Sequence, residues 1–244
     1  MRRFGLIGYP LSHSFSQKFF TEKFQREHIT GCVYENFPIA DISELPGILQ
    51  QYPDLEGLNV TIPYKERVIP FLHHQDEVVQ AIGACNCIRI KEGKLFGFNT
   101  DVAGFEVSLD KLLQPYHKKA LVLGTGGAAK AVHYVLKKRG IEFIEVSRNP
   151  QGRNQISYAD VDAVMHDHLL IVNTTPLGMY PNVEEFPPIA YDMLTPRHYL
   201  FDLIYNPPAT AFLKKGEEKG ALVKNGGEML VIQAEESWKI WNRG

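Results

Sequence analysis

Two stretches of this chain carry residues whose types and spacing could do chemistry on a nucleotide. The first is Gly124-Thr125-Gly126-Gly127-Ala128, which follows the apolar run Leu121-Val122-Leu123 and precedes helix-forming residues as far as Arg139. Glycine has no Cβ, so the backbone can turn sharply and approach a pyrophosphate resting on the free N–H groups of a helix N-terminus. The third position of a G-x-G-x-x-G pattern is Ala129, still small enough for close helix–strand packing. A second apolar run, Ile141 to Val146, closes a βαβ unit, which favours a dinucleotide site over an ordinary glycine turn. The second stretch, Ser147-Arg148-Asn149, stands at the end of that run, with no acidic residue until Asp160. An Asp or Glu there would hold the ribose hydroxyls of NAD. A guanidinium suits a 2′-phosphate and can stack on adenine, so NADP is the expected cofactor.

Two further groups could handle a polar small molecule. Ser12, His13, Ser14 and Ser16 precede a helix-like segment, Lys18 to His28. Serines there serve either as helix caps or, with the free helix N–H groups, as a carboxylate pocket; one can cap while others bind. Asn59, Thr61 and Lys65 surround the end of a strand-like run, Leu58 to Ile62, stopped by Pro63. A lysine so placed is ordinarily a solvated charge, but its amide and hydroxyl neighbours make it a candidate. Asn99-Thr100-Asp101 precedes a helix expected to begin near Val102, where Asp101 is either a cap or a functional carboxylate.

The elements that must position these groups follow from periodicity and punctuation. Strands are expected at Phe4 to Gly8, Cys32 to Phe37, Leu169 to Val172, Tyr199 to Ile204 and Ala221 to Val223. Helices are expected at Asp41 to Gln50, Val68 to Ala81, Ala209 to Gly220 and Met229 to Trp241, the last with Gln233 among apolar residues. Lys91-Glu92-Gly93-Lys94 reads as a hairpin turn in which glycine supplies the unusual angle. The stretch from Pro150 to His168 has room for little helix, and the polar turn Asn173 to Met179 is placed to meet a nicotinamide ribose.

Composition sets the limits. The chain has 244 residues, a formal net charge of −2 and no apolar run long enough to span a membrane. Neither nucleic acid nor membrane is an expected partner, no signal peptide is visible, and a cytoplasmic location is expected. Cys32, Cys85 and Cys87 form no disulfide framework, and two thiols without a second pair make a poor zinc site, so they read as buried small side chains and no metal is expected.

Taken together, the motifs resemble the shikimate dehydrogenase family, collinearly over nearly the whole chain. Ser14-Phe15-Ser16 answers to S-x-S, Asn59 to Lys65 to N-V-T-[IV]-P-[FY]-K, and Gly83 to Asn86 to G-A-x-N. Asn99-Thr100-Asp101 answers to N-T-D, Gly124 to Ala128 to G-x-G-G-[AS], Asn173 to Met179 to N-[AT]-T-P-x-G-M, Tyr205-Asn206-Pro207 to Y-N-P, and Gly226 to Gln233 to G-x-x-M-L-x-x-Q. Phe15 and Gln17 stand where the family commonly has a basic residue and a proline, and Arg148 is kept from an N-R-T clamp whose neighbours differ here.

The resemblance implies reversible NADP-linked interconversion of shikimate and 3-dehydroshikimate, in the route to chorismate and the aromatic amino acids. By it, Ser14, Ser16 and Tyr205 would hold the substrate carboxylate, and Thr61, Lys65, Asn86, Asp101 and Gln233 the ring hydroxyls. Lys65 and Asp101 would be the catalytic pair. Gly124, Thr125, Gly126, Gly127 and Ala128 would cradle the pyrophosphate; Ser147, Arg148 and Asn149 would meet the adenosine phosphate; Leu203 and Gly226 would flank the nicotinamide. Lysine suits the role, because an ammonium can both stabilise and protonate the oxygen on which charge builds as a ketone is reduced. The expected fold is α/β with two domains: a substrate-binding domain at 1–101 plus 229–244 and a Rossmann-like NADP-binding domain at 102–228, with the active site in the cleft between them. The protein is expected to be a monomer or homodimer. Two other readings are a quinate/shikimate dehydrogenase able to use NAD and a non-catalytic ligand-binding member of the fold.

Overall fold

The computed structural model describes residues 1–11 and 14–243; Ser12 and His13 of the serine cluster lie outside the described residues. The chain divides into two compact units, Met1–Thr100 with Gln233–Gly244, and Asp101–Ile232.

The first unit is built from β1 (Arg2–Gly8), α1 (Phe15–Arg26), β2 (Cys32–Pro38), α2 (Leu45–Gln51), β3 (Leu55–Val60), β4 (His74–Gln75), α3 (Glu77–Ile82), β5 (Cys87–Lys91) and β6 (Lys94–Phe98). Its sheet runs β2-β1-β3-β5-β6-β4. β1 pairs in parallel with β2 and β3, while β5 runs antiparallel to β3 and β6. Strand side chains alternate between faces, and both faces are covered. Phe4, Leu6, Tyr34 and Cys87 pack with Phe20 and Trp241 on one side. Ile7, Phe37, Leu58 and Ile88 pack with Leu45 and Tyr64 on the other. Trp241 stacks on Phe4 at 4.9 Å between centroids and donates its Nε1–H to the Ile88 carbonyl at 3.0 Å. A Cβ on Gly57 would lie 2.4 Å from that indole, so only glycine lets the C-terminal residues come this close to β3.

The second unit follows with α4 (Thr100–Asp110), β7 (Lys119–Leu123), α5 (Gly127–Lys138), β8 (Glu142–Val146), β9 (Gln155–Ile156), β10 (Leu170–Asn173), β11 (Tyr199–Asp202), α6 (Ala211–Glu218), β12 (Leu222–Lys224) and α7 (Gly227–Trp241), whose residues from Gln233 onward count with the first unit. Its sheet is wholly parallel, in the order β12-β11-β10-β7-β8-β9. Counted from β7, that order is 3-2-1-4-5-6, the doubly wound arrangement of dinucleotide-binding folds. Its central strands are continuous apolar runs, as expected of strands buried on both faces.

Several expected elements differ. The span 68–81 is not one helix: a 3-10 turn at Ile69–Phe71 contains Pro70, His74–Gln75 pairs with β6, and Asp76 then caps the short α3. Proline and a competing strand pairing override the helical periodicity. The helix expected from Asp41 starts as a 3-10 turn with an Asp41–Glu44 capping box before α2. β3 ends at Val60, leaving Thr61 and Ile62 outside the strand. In the hairpin, both Glu92 and Gly93 adopt positive φ, so glycine supplies only half of the unusual geometry. α4 begins at Thr100, which puts Asp101 in its first turn rather than at its cap. Cys85 and Cys87 are fully buried and Cys32 half-buried; all three are free, and burial pushes the Cys85 thiol up to about 12.

Two buried histidines of the second unit are fixed in one tautomer. His117 Nδ1 accepts the Gln114 N–H at 2.9 Å while Nε2 faces the Arg197 carbonyl at 3.0 Å. His198 Nδ1 accepts the Thr195 N–H while Nε2 faces the Met165 carbonyl. Burial lowers both below the ordinary 6.5, and a proton on Nδ1 would meet a backbone N–H. The unfolded chain therefore binds more protons than the native one just below pH 6.5. The stability these histidines contribute is complete above that pH and is lost as pH falls through their lowered values. Asp202, pushed up to about 6 by burial, acts in the opposite sense, losing its contribution as pH rises towards 6. Urea unfolding from pH 7 to pH 4 is expected to show a smaller loss for His198→Gln than for the wild type; identical slopes would contradict this assignment.

Candidate active site

In the first unit, a buried polar network joins the elements that carry the candidate substrate residues. Ser14 is the N-cap of α1, its hydroxyl accepting the Gln17 N–H at 3.2 Å. Ser16, two residues on in the first turn of α1, lies near the Tyr34 hydroxyl. Tyr34 in turn donates to Asn59 Oδ1 at 2.9 Å, and Asn59 Nδ2 donates to the Asn86 carbonyl and to Ser237 Oγ. Asn86 forms a closed pair with Thr100, donating Nδ2 to its Oγ1 at 3.1 Å and accepting its backbone N–H at 2.7 Å. Thr100 Oγ1 lies 3.4 Å from Gln233 Oε1, and the Ser237 hydroxyl donates to the Gln233 carbonyl. Asn59, Asn86, Thr100, Gln233 and Ser237 are all buried, which is tolerable only because they satisfy one another. Asn86 still has one amide N–H beyond its Thr100 bond, so it can serve the network and a substrate hydroxyl together.

Lys65 is presented from a fixed stem. Tyr64 is fully buried and donates its hydroxyl to the Ile39 carbonyl at 2.6 Å, and the Lys65 carbonyl accepts the Cys85 N–H at 2.7 Å. Lys65 itself is half-buried, as is Thr61, whose backbone N–H donates to Ile7 at the end of β1. The backbone thus gathers Thr61, Lys65 and Asn86 around the ends of β1, β3 and β5. Asp101 is the half-buried residue after Thr100.

In the second unit, a cavity of about 770 Å³ opens at the C-terminal ends of β7, β8 and β10. Gly124, Thr125 and Gly126 form one wall and Ser147, Arg148 and Asn149 another. This is the switch point of the strand order, where open α/β sheets bind their ligands. Gly124 has φ +103°, and a Cβ there would meet Thr174 Oγ1 at 2.8 Å. Gly126, the N-cap of α5, has φ −79° and open space around it. Of these two glycines, then, only Gly124 is demanded by the backbone. Gly127 and Ala128 open the helix, and Ala129 is buried beneath it.

The turn after β10 lines this same cavity through Thr174, Thr175, Pro176 and Leu177, so it shares a wall with Arg148. Asn173 is fully buried, accepting from Thr175 and donating to Asp202 Oδ1 at 3.1 Å. Asp202 also accepts from Thr210 Oγ1 at 2.6 Å and the Ile204 N–H. These bonds fix the exit of β11, where Gly226 donates its N–H to Ile204 and passes so close to Leu203 that a Cβ would lie 2.1 Å from its carbonyl oxygen. The structure therefore brings Leu203 and Gly226 together, apart from the walls of the cavity. Tyr205 follows with 40% of its surface exposed.

Sequence reasoning missed Tyr158, Glu185 and Phe186 as cavity walls, and Tyr34 and Ser237 as parts of the network. Tyr158 opens a short 3-10 helix, Tyr158–Ala163, and the 185–186 segment sits in irregular chain, so neither has a periodicity to read. Ser237 had a signal: it lies four residues from Gln233, on the same stripe of a helix. Among the described residues no group of three or more His, Cys, Asp or Glu side chains gathers as a metal site, and no helix is long and apolar enough to cross a membrane.

Fold and cavity define an α/β protein with a Rossmann-type dinucleotide-binding unit and a second α/β unit carrying a lysine held by its neighbours. Comparison with known proteins narrows the class. Residues 6–88 match the shikimate dehydrogenase substrate binding domain. The shikimate dehydrogenase (NADP(+)) of Carboxydothermus hydrogenoformans is 37% identical over 254 residues, covering 97% of this chain and 90% of the relative. The shikimate 5-dehydrogenase of Thermus thermophilus, solved in complex with NADP(H) and shikimate, superimposes with a TM-score of 0.87 at 30% identity, covering 99% of this chain and 94% of that one. That of Listeria monocytogenes, solved with shikimate and NAD, gives 0.89 at 26% identity, covering 99% and 91%. The chain belongs to the shikimate dehydrogenase family.

The demand on Gly124 is testable. Gly124→Ala is expected to destabilise the protein by about 1–3 kcal/mol in urea unfolding, because it forces a side chain into the left-handed region against Thr174. Gly126→Ser, at an open N-cap position, is expected to change stability by no more than about 0.5 kcal/mol. Equal losses for the two would contradict the geometry.

Proposed function

We propose that this protein catalyses the reversible NADPH-linked reduction of 3-dehydroshikimate to shikimate. The observation that carries the reading is the pairing of two features in one chain: a switch-point cavity with a glycine wall and Arg148, and Lys65 held beside Thr61 and the Asn86 network. The cavity fits the cofactor's adenosine and diphosphate end. Its volume lies in the usual range for such sites, its glycine wall admits close backbone approach, and its cation matches a 2′-phosphate. Gly124 to Ala128 would hold the diphosphate, Ser147, Arg148 and Asn149 the 2′-phosphate, and Leu203 and Gly226 the nicotinamide. When bound, the cofactor supplies or accepts the hydride.

The remaining work belongs to side chains. Ser14 and Ser16, at the N-terminus of α1, offer hydroxyls and a helix end to the substrate carboxylate, with Tyr205 assisting. Thr61, Asn86, Asp101 and Gln233 hold ring hydroxyls, and their polar groups reject analogues that leave them unpaired. Lys65 donates a proton to the carbonyl oxygen as charge develops there; in the oxidative direction its neutral amine takes the hydroxyl proton. Asp101 orients Lys65 and binds a hydroxyl. With this reading go a cytoplasmic location, activity as a monomer or homodimer, and no nucleic-acid partner, the last supported by a formal net charge of −2.

The test is NADPH oxidation with 3-dehydroshikimate, with NADH in parallel. Turnover with NADPH, and far less with NADH, is expected. A folded protein with no turnover on either cofactor would overturn the reading, and equal rates would remove the role given to Arg148. Lys65→Ala is expected to lower kcat by roughly 10²–10⁴ with little change in shikimate affinity. A large loss of affinity with near-normal kcat would contradict the proton-transfer role.

A further inference from the structure

Parallel strands are ordinarily joined by a crossover of a dozen or more residues, most often a helix. β7 reaches β8 through α5, and β11 reaches β12 through α6. The link from β8 to β9 is different: it is the eight residues Ser147 to Asn154, with no helix. This loop carries Ser147, Arg148 and Asn149, which form one wall of the cavity. Without a helix behind it, the loop has no packed element to fix its shape. It also offers a bound anion no helix N-terminus, leaving Arg148 as the cationic wall of the cavity.

The loop is nevertheless held. At its base, Glu145 and Val146 pair with Gln155 and Ile156, and Asn154 Nδ2 donates to the Phe143 carbonyl at 2.6 Å. At its far side, Gln155 turns its side chain back into the loop. Its Oε1 accepts the N–H groups of Gln151 at 2.9 Å and Gly152 at 3.3 Å. Its Nε2 donates to Glu145 Oε2 at 2.6 Å, and the other Glu145 oxygen lies 3.3 Å from His133 Nε2 on α5. Both ends of one amide are thus used: one closes the turn and the other anchors it to β8. A carboxylate acceptor makes the anchoring bond a strong one.

We infer that Gln155 is a positioning residue for recognition of the cofactor's 2′-phosphate: by clamping the Gln151-Gly152 turn to Glu145, it holds the helix-free loop in the shape that presents Arg148 to the cavity. The inference rests on the dinucleotide reading above and deepens it, because it assigns the discrimination of NADP from NAD to a side chain outside the cavity walls. Gln155 needs no contact with the ligand. Its effect is confined to the part of the ligand that Arg148 reads.

The experiment is calorimetric titration of the full chain with 2′,5′-ADP, which carries the 2′-phosphate, and with 5′-AMP, which does not. Gln155→Ala is expected to weaken 2′,5′-ADP by about tenfold, the scale of one misplaced bond to a charged group, while changing 5′-AMP less than about twofold. The exchanged pair Glu145→Gln with Gln155→Glu keeps one amide, one carboxylate and an acceptor for the turn, and is expected to restore most of the 2′,5′-ADP affinity. Equal weakening of both nucleotides, which a general loosening of the unit would produce, overturns the inference. So does unchanged 2′,5′-ADP affinity in Gln155→Ala, or failure of the exchanged pair to recover it. Wild-type protein that binds neither nucleotide overturns the dinucleotide reading itself, and the inference with it.

Discussion

Asn59, Asn86, Thr100, Gln233 and Ser237 have almost no access to water, so their polar groups depend on hydrogen bonds to one another and to near neighbours. That constraint ties together elements far apart in sequence: β3, the approach to β5, the start of α4 and the C-terminal helix. The bond from Asn59 to Ser237 spans 178 residues. Replacing either end with an apolar group would strand a partner in a low-dielectric interior, which costs far more than an exposed hydrogen bond contributes. The network adds to the register that packing on both sheet faces already sets, and two of the candidate substrate residues, Asn86 and Gln233, belong to it. Tyr34 extends it to β2, and the Asn86 carbonyl extends it to β3, from which the chain turns to Lys65.

The second unit solves a different problem. Its central strands are mostly apolar, and its site comes from what the strand order leaves open at the ends of β7, β8 and β10. Specificity there falls to loops, and loops need anchors. Thr174 donates back to the Leu123 carbonyl, Asn173 and Asp202 hold the neighbouring turn, and Gln155 holds the helix-free link. The raised Asp202 carboxyl marks the cost of burying such an anchor, offset in part by its three donors.

Much of this could be read from residues alone, and the reason is local. The strand, glycine turn and helix around Gly124 form a contiguous pattern, and so do the parallel strands with their apolar runs. The failures were long-range. Nothing between 68 and 81 announces that His74–Gln75 will pair with β6, because that pairing depends on where the hairpin 91–94 sends its second strand. Tyr34 looks like an ordinary strand residue until Asn59 is seen beside it. Gln155 had no motif at all; its role arises from a missing helix. Gln233 was legible as a polar side chain in apolar surroundings and Asn86 only through the family resemblance; the partners that make their burial tolerable were not legible.

If the buried network organises the first unit, a change confined to it should disturb shikimate binding and leave the nucleotide cavity alone. The most direct test is Thr100→Val, which keeps the side chain's shape and the backbone bond to Asn86 but removes the hydroxyl that Asn86 Nδ2 and Gln233 share. Shikimate and 2′,5′-ADP affinities would be measured on the same folded preparation. Shikimate binding is expected to weaken by about tenfold or more while 2′,5′-ADP binding is unchanged. Unchanged shikimate affinity, or parallel loss of both ligands, would contradict it.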